Sequence, residues 1–502
     1  MQLTDLPDEI VARVFSYVLP NVLHDKFLPS KSWDTLSGLQ LLAYKSIVSG
    51  TIIVRGGNHT NKMDSVGLFH TQTELKSAFT IKTMERGYDT IRDLIMYNMK
   101  SQTPVLPVEL GLYYRSDGHE TEEYVVSELR AMVKILELLA VGYLLAIPVV
   151  NVQLEHNADP SPTLKSLRRK VTNRMLALDK RLCKVLFARE FAASPFYDHL
   201  QFMSSRFENL KQIHFWNDGI RDISLPRVAS CAPNLQVLDL SGNSISNLVR
   251  VPVSESITVL RVRANGLTSL EGLEFKSCGS LRVLDASVND IGSLEGVFLP
   301  PSIRNLDVSF NAIAKVGLIM LPANLETLKL SKNSILSLTH LELPPSLQKL
   351  QLDSNNITAL PIDFFHHTHK LTVLDLSDNK IDDLDELGQL PDSLQHLKLD
   401  GNQIDYSNLS NILQPNLRTL SMASTGLVSL THLNFPPYLS DINFSKNEIS
   451  ELAHIKFGPH LAKLDLSYNR LESYNPAQQK LDIPATAMVI LEHNSLKDEV
   501  EK

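Results

Sequence analysis

The residues best suited to chemistry in this chain of 502 residues are charged side chains set beside leucines in short apolar phrases. Their chemistry is ion pairing and hydrogen bonding with another protein, in which the charge pattern sets specificity and association rate. Arginine is also a preferred anchor of protein interfaces. The candidate binding residues for a protein partner are Arg261, Arg263, Lys329, Lys349, Asp353, His396, Lys398 and Asp400.

Signals for other kinds of chemistry are weaker. His366, His367 and His369 lie together in "FFHHTHK", but a metal site requires ligands on a rigid scaffold, and we predict a solvated loop here. The aspartates of the recurring phrase "LDLS" are predicted to be strand residues and not a catalytic set. No serine–histidine–aspartate order, paired-carboxylate signature or nucleotide motif stands out. We therefore predict that the chain is not an enzyme and binds neither a cofactor nor a metal.

The charged residues are positioned by a phrase that recurs about every 22 residues, L-x-x-L-x-L-x-x-N-x-I/L. Clear copies are "LQVLDLSGNSI" and "LETLKLSKNSI". A repeat with this period indicates a solenoid, in which each unit buries its apolar face against its neighbours. The asparagines that close the phrase are Asn243, Asn265, Asn289, Asn311, Asn333, Asn355, Asn379, Asn402, Asn447, Asn469 and Asn494.

Within each phrase the L-x-L core alternates, which predicts a short strand with both leucines on one face. The strands of successive units are expected to pair in one parallel sheet. The asparagine follows the strand, where the chain turns. Its amide can donate to and accept from backbone groups that would otherwise be buried without a partner. Thr425 replaces this asparagine in "LRTLSMASTGL", so we expect one weaker position in the series.

These phrases resemble the leucine-rich-repeat family over residues 210–496, which would hold about 12–13 repeats. The resemblance implies an α/β solenoid with a parallel sheet on its concave side, whose exposed strand residues bind a protein substrate. Proline recurs just before the strand, as in "LPPSI" and "LPDSL". Proline breaks helix interiors, so we expect extended or single-turn segments on the convex side. The copy that ends at Asn494 is expected to cap the solenoid before the charged tail, 497–502.

Composition argues against several classes of protein. The net charge is −8 with acids and bases mixed, which disfavours binding to nucleic acid. Cys183, Cys231 and Cys278 form no C-x-x-C pair, which disfavours a disulfide framework or a structural zinc site. No basic region followed by an apolar run begins the sequence, so we expect a cytoplasmic or nuclear protein. The apolar segment 135–150 is too short for a membrane span and contains Glu137, so we expect a buried helix followed by a strand.

Residues 51–209 are predicted to form a mixed α/β region, with degenerate repeats among its elements. The phrase "VNVQLEHN" resembles the last repeat, "MVILEHN", and is predicted to be a strand of the same kind. The basic stretch 165–184 predicts an amphipathic helix with a charged, solvated face. Its expected apolar stripe begins at Val171 and continues through Leu182 to Val185.

The first residues of the chain, "MQLTDLPDEIVARVFSYV", predict an amphipathic helix. Pro7 suits its first turn, and Leu6, Ile10, Val14 and Phe15 fall on one apolar stripe. The phrase "LPDEIVARVFSYV" resembles the opening of an F-box, whose pattern is L-P-x-E-I/L followed by I/V-F-x-Y/H-L. We therefore expect a small helical F-box-like module over residues 1–50. The other interpretation is an ordinary amphipathic helix that packs on its own domain.

The resemblance to F-box/leucine-rich-repeat proteins implies a substrate-recognition subunit of an SCF-type cullin–RING ubiquitin ligase. The stripe from Leu6 to Phe15, with Pro7, would dock on a Skp-type adaptor of the cullin complex, and the solenoid would capture an unidentified protein substrate. The alternative is a leucine-rich-repeat scaffold or regulatory subunit, for example of a type-1 protein phosphatase, with no link to ubiquitin. Several repeats match the regular asparagine spacing of that second class.

Overall fold

The computed structural model describes two compact units, formed by residues 1–244 with 250–257 and by residues 245–249 with 258–502. The predicted adaptor-binding stripe, Leu6 to Phe15, lies outside the described residues. The described residues are 51–57, 79–81, 83–100, 109–116, 120–140, 149–156, 161–176, 182–188, 207–217, 220, 232–249, 255–271, 278–405 and 409–496.

The first unit contains a parallel sheet. Its described strands are β1 (Thr51–Gly57), β2 (Phe79–Ile81), β3 (Glu109–Ser116), β4 (Val149–His156), β5 (Leu182–Ala188), β6 (Gln212–Trp216) and β7 (Val237–Asp239). β1 pairs with both β2 and β3, and the sheet then runs through β4, β5 and β6 to β7, always in parallel. Parallel strands need a crossover connection, and helices supply three of these crossovers.

The helices of the first unit are α1 (Met84–Lys100), α2 (Glu122–Ala140) and α3 (Pro162–Leu176). Each begins after a hydroxyl residue whose side chain accepts a hydrogen bond from a backbone N–H of the first turn. These residues are Thr83, Thr121 and Ser161, with donor–acceptor distances of 3.2, 3.4 and 3.3 Å. This capping satisfies N–H groups that have no partner within the helix, and it fixes where each helix starts.

The described residues of the apolar segment 135–150 lie at the end of α2 and the start of β4, in agreement with the predicted helix and strand. Leu136 and Leu139 are fully buried. No helix in the part of the chain that is described is long and apolar enough to cross a membrane. One prediction is wrong: α3 ends at Leu176, and Leu182 and Val185 belong to β5 instead of the helix.

The second unit is built from three-residue strands at the repeat period. They are β8 (Val259–Arg261), β9 (Val283–Asp285), β10 (Asn305–Asp307), β11 (Thr327–Lys329), β12 (Lys349–Gln351), β13 (Val373–Asp375), β14 (His396–Lys398), β15 (Thr419–Ser421), β16 (Ser429–Thr431), β17 (Asp441–Asn443), β18 (Glu451–Ala453), β19 (Lys463–Asp465) and β20 (Met488–Ile490). All but two pair in chain order as one parallel sheet. β16 and β18 pair separately with each other.

The strand residues alternate between the core and the surface, as the L-x-L pattern predicts. In every strand from β8 to β19 the central residue is buried, and the residues beside it are at least partly exposed in most strands. In β20 the central residue, Val489, is half-exposed. Two 3₁₀ turns, Leu384–Leu387 and Leu409–Ile412, occur in the connections. The second unit is therefore a parallel β-solenoid with extended or single-turn connections, and its last strand ends the sheet.

The asparagine ladder joins each repeat to the one before it. Asn333 Nδ2 donates to the backbone oxygen of Leu330 at 2.9 Å and, across the repeat boundary, to that of Val308 at 3.1 Å. Asn333 Oδ1 accepts a hydrogen bond from the backbone N–H of Ile313, also in the preceding repeat, at 3.0 Å. Equivalent bonds form at Asn289, Asn355, Asn379, Asn402, Asn447 and Asn469.

Thr425 keeps only part of this arrangement. Its Oγ1 donates to the backbone oxygen of Met422 at 3.0 Å, which reproduces the bond within the repeat. The backbone N–H of Ile404 donates to the Thr425 carbonyl oxygen instead of a side-chain oxygen. Since the short hydroxyl has one donor and an amide has two, the bond to the preceding repeat is not reproduced.

The residue before each ladder asparagine has a positive φ, which turns the chain out of the strand. Non-glycine examples are Phe310, Lys332 and Tyr468, with φ of 55°, 53° and 57°. At Gly401, with φ of 72°, an added Cβ would approach the Asp378 Oδ1 atom to 2.3 Å. A side chain at Gly401 therefore has little room, whereas those of Phe310, Lys332 and Tyr468 are exposed.

Candidate protein-interaction surface

The predicted binding residues occupy three places in the repeat. Arg261, Lys329 and Lys398 are the last residues of β8, β11 and β14, and Lys349 and His396 are the first residues of β12 and β14. Arg263, Asp353 and Asp400 lie two residues beyond the ends of their strands. All of them are exposed or half-exposed on the side of the sheet opposite the buried central residues, which we call the sheet face.

Only part of this set lies close together. β11, β12, β13 and β14 are consecutive in the sheet, so the six predicted residues from Lys329 to Asp400 share four neighbouring repeats. Arg261 and Arg263 belong to β8, four strand spacings from β12, which is about 19 Å at about 4.8 Å a strand. The Arg263 Nη1 atom donates to the Ser287 hydroxyl at 2.7 Å.

The two strand-end lysines form ion pairs with the preceding strand. Lys329 Nζ lies 2.9 Å from Asp307 Oδ2, and Lys398 Nζ lies 3.5 Å from Asp375 Oδ2. The lysine side chains are 39% and 54% exposed, so water screens these pairs and each adds little stability. What they fix is a line of alternating charge across the sheet face, in the register Asp307, Lys329, Gln351, Asp375 and Lys398.

The two predicted aspartates bind their own neighbours in the solenoid. The Ser331 hydroxyl donates to Asp353 Oδ1. The Ser421 hydroxyl and the Ala423 backbone N–H each donate to Asp400 Oδ1 at 2.6 Å. These bonds cross between repeats, so both carboxylates help to fix the turns that follow the strands, in addition to the charge they present.

Lys349 and His396 occupy the first position of their strands, with Val373 of β13 between them in the register. His396 Nδ1 lies 2.9 Å from the Thr419 hydroxyl. Partial burial lowers the pKa of His396, and the positive charge of Arg418 lowers it further. The imidazole is therefore neutral at pH 7, and Lys349 carries the formal positive charge of this pair.

The histidine cluster of the sequence lies in the connection between β12 and β13. His366, His367 and His369 are exposed, and the first two rings meet edge-to-face at 4.6 Å between centroids. Within the described residues, no group of three or more potential ligands is placed to hold a metal ion. Burial raises the pKa of the Cys278 thiol to about 11, so this cysteine is protonated at neutral pH and a poor nucleophile.

A second polar ladder, which is not among the sequence predictions, lies at the edge where the strands begin. The residue just before the first leucine of the phrase is often serine, and its hydroxyl donates to a carbonyl of the preceding repeat. The bonds run from Ser302 to Leu281 at 2.8 Å, and from Ser346 to Leu325 at 2.7 Å. The recurring Pro-x-Ser/Asn-Leu phrase carries the signal for this ladder. The ladder was not predicted, because only the proline of the phrase was interpreted.

Two family models match the sequence, and both are described as leucine-rich repeat. One covers residues 345–404 and the other covers residues 234–254. Both segments carry the asparagine ladder and the three-residue strands described above. The chain contains leucine-rich repeats. Such domains serve in protein–protein interaction, and the sheet face is the part of this leucine-rich-repeat solenoid that presents a continuous row of exposed side chains.

Solved structures show the same fold. A leucine-rich-repeat protein of Leptospira interrogans is 18% identical, with a TM-score of 0.51, over 74% of this chain and 88% of that one. A chain in the Toll–Spätzle complex of Drosophila is 19% identical, with a TM-score of 0.52, over 77% of this chain and 58% of that one. The search of curated proteins finds no significant match. At these identities the likeness concerns the leucine-rich-repeat fold alone.

Proposed function

We propose that this leucine-rich-repeat protein is the substrate-recognition subunit of an SCF-type ubiquitin ligase. The sheet face of β11–β14 captures the substrate, and the stripe of Leu6, Ile10, Val14 and Phe15, with Pro7, docks on a Skp-type adaptor. The chain itself is not the catalyst, because ubiquitin transfer belongs to partner subunits of such ligases. The F-box-like phrase that precedes the leucine-rich repeats supports this assignment.

The observation that carries the substrate-binding half is the alternating line of charge on the sheet face. A rigid sheet holds each charge at a fixed spacing, so that a partner with the complementary order gains several contacts at once while a partner with the wrong order meets like charges. The strands are braced on both sides by ladder hydrogen bonds, which keeps the entropy cost of ordering the surface low.

Reversing charge on the sheet face is expected to slow substrate capture. In Lys349→Glu combined with Lys398→Glu, two attractive charges become repulsive, so we expect the association rate to fall about tenfold or more at low salt. The loss should shrink as salt is added, because exposed charges are screened. Affinity purification of the full chain, followed by mass spectrometry, identifies the partner, and surface plasmon resonance then measures its association rate.

The matched control is Lys315→Glu combined with Lys456→Glu. It changes the net charge by the same amount at two exposed lysines in the connections between strands. The control, and the changes His366→Ala and His369→Ala, should leave capture intact. Equal losses in the two double variants would mean that bulk charge and not the sheet face governs binding, and that outcome would refute the placement of the substrate site.

A further inference from the structure

A polar groove of about 610 Å³ runs along the edge of the sheet where β12–β15 begin. We call it the strand-start groove. It lies beside the sheet face but uses different residues, none of which was singled out from the sequence. Its lining residues are Gln348, Lys370, Thr372, Ser393, Gln395, Asn416, Arg418 and Tyr438.

The charged side chains that line the strand-start groove are both cationic. The groove is lined by two cations, three carboxamides, two hydroxyls and one tyrosine, with no carboxylate. Lys370, Arg418 and Tyr438 are exposed. Tyr438 is 53% exposed, and its ring stacks on that of His460 at 5.9 Å between centroids. A cationic groove attracts an anionic ligand locally, although the chain as a whole carries a net charge of −8.

The two cations of the groove have no ion pair within the described part of the chain, unlike other cations on the same edge. Arg304, just before β10, is held by Glu326 at 2.6 Å. Lys370 and Arg418 have no such partner in the described residues, although Asp441 lies at the start of the neighbouring β17 and is bonded by the Ser440 hydroxyl. Their charge is therefore presented to solvent at the groove.

Lys370 and Tyr438 also interrupt the serine ladder of this edge. At both places the structural bond is supplied by the residue two positions later. The Thr372 hydroxyl donates to the Gln348 carbonyl oxygen, and the Ser440 hydroxyl donates to that of Arg418, both at 3.1 Å. Because these hydroxyls hold the repeats together, Lys370 and Tyr438 are released from the structural role that serine has elsewhere.

We propose that the strand-start groove binds an acidic segment of the protein substrate in the polyproline-II conformation, with carboxylates at every third residue. Lys370 and Arg418 belong to repeats two strands apart, which is about 10 Å across the sheet, and their long side chains begin two register positions apart along the strand direction. A polyproline-II helix has three residues per turn and rises about 9.3 Å per turn, so its carboxylates at every third residue share one face and match this spacing. The inference rests on the proposed role of the solenoid in capturing a protein substrate.

The remaining lining residues fit the same ligand. A polyproline-II backbone has no internal hydrogen bonds, so its carbonyl oxygens are free to accept from the amides of Gln348 and Gln395. An exposed aromatic ring such as Tyr438 can pack against proline rings, as in other recognition of polyproline-II segments. A phosphate group fits less well, because it prefers several donors converging on one point, whereas these two cations are separated by an entire repeat.

Fluorescence anisotropy of the full chain with labelled peptides tests this proposal. The probe is a peptide of about four Glu-Pro-Pro triplets, and the controls are Gln-Pro-Pro triplets, alternating Glu-Pro of equal charge, and a phosphoserine peptide. We expect the Glu-Pro-Pro peptide to bind at low salt and the three controls to bind about tenfold more weakly or not at all. Equal binding of the Gln-Pro-Pro or Glu-Pro peptide would overturn the charge or the spacing argument, and tighter phosphoserine binding would overturn the carboxylate assignment.

The residue test uses Lys370→Gln combined with Arg418→Gln. It should weaken the Glu-Pro-Pro peptide about tenfold, while Lys315→Gln combined with Lys456→Gln should leave it unchanged. Unchanged peptide binding in the groove variant would refute the proposal.

If the groove variant still captures the substrate and Lys349→Glu with Lys398→Glu does not, the groove inference fails and the proposed function stands. If the adaptor never co-purifies while the peptide results hold, the ubiquitin-ligase role fails and the groove stands.

Discussion

Replacing Asn333 by alanine is expected to lower the free energy of unfolding by roughly 1–3 kcal/mol. The substitution removes the amide that donates to Val308 and Leu330 and accepts from the Ile313 N–H. These backbone groups are buried, and a buried polar group without a partner costs most of its desolvation energy. Urea or thermal unfolding followed by circular dichroism measures the change.

Two further variants sharpen the ladder experiment. Asn324→Ala removes an exposed asparagine with a single long contact of 3.5 Å to Pro301, and should change stability by less than about 0.5 kcal/mol. Thr425→Asn should be neutral or stabilising, since an amide there can restore the bond to the preceding repeat. Equal unfolding curves for Asn333→Ala and Asn324→Ala would contradict the assignment of the ladder as the polar framework of the solenoid.

Loss of the adaptor is the second large effect that we expect. In Ile10→Asp combined with Phe15→Asp, two carboxylates replace apolar side chains of the proposed docking stripe. Burial of apolar surface is worth about 25 cal/mol per Å², and a buried unpaired carboxylate adds a further penalty, so co-purification of the Skp-type adaptor should be abolished. Quantitative mass spectrometry of the purified full chain provides the measurement, and the unfolding curve of the solenoid should not change.

The control for this experiment places the same charges on the opposite face of the predicted helix, as Ala12→Asp with Ser16→Asp. At about 100° per residue these positions lie away from the stripe, so the adaptor should be retained. If wild-type protein never yields the adaptor, the F-box assignment is wrong. The alternative hypothesis, a leucine-rich-repeat scaffold or phosphatase-regulatory subunit, should then be tested.

The solenoid could be predicted because every repeat carries the same sequence pattern. Alternation around Leu328 or Leu350 specifies a strand, and the asparagine three residues after the second leucine of the L-x-L core specifies the turn. The partner repeat of each asparagine could not be predicted, because half of the bonds, such as those of Asn333 with Ile313 and Val308, join residues 20 or 25 positions apart. The partners of Lys329 and Lys398 were hidden for the same reason: Asp307 and Asp375 are adjacent only once the strands are in register.

The first unit was harder to predict than the second. Leu182 and Val185 were placed on a helix, because short apolar stretches fit a helical stripe and a strand almost equally well. The strand-start groove could not be predicted, because it depends on the edge positions at which a neighbouring residue makes the structural hydrogen bond to the preceding repeat. Near Lys370, for example, Thr372 makes this bond. A single copy of the phrase does not contain that information, since it appears only when successive repeats are compared in three dimensions.

Site-specific photo-cross-linking tests the central claim, capture of a protein by the sheet face, most directly. A photoreactive amino acid at Gln351 lies in the middle of the charged line on β12, and one at His366 lies in the connection that follows the same repeat. After irradiation with the captured partner, we expect covalent adducts from position 351 and none from position 366. Adducts from position 366 with none from position 351 would contradict the account and place the binding surface on the connections.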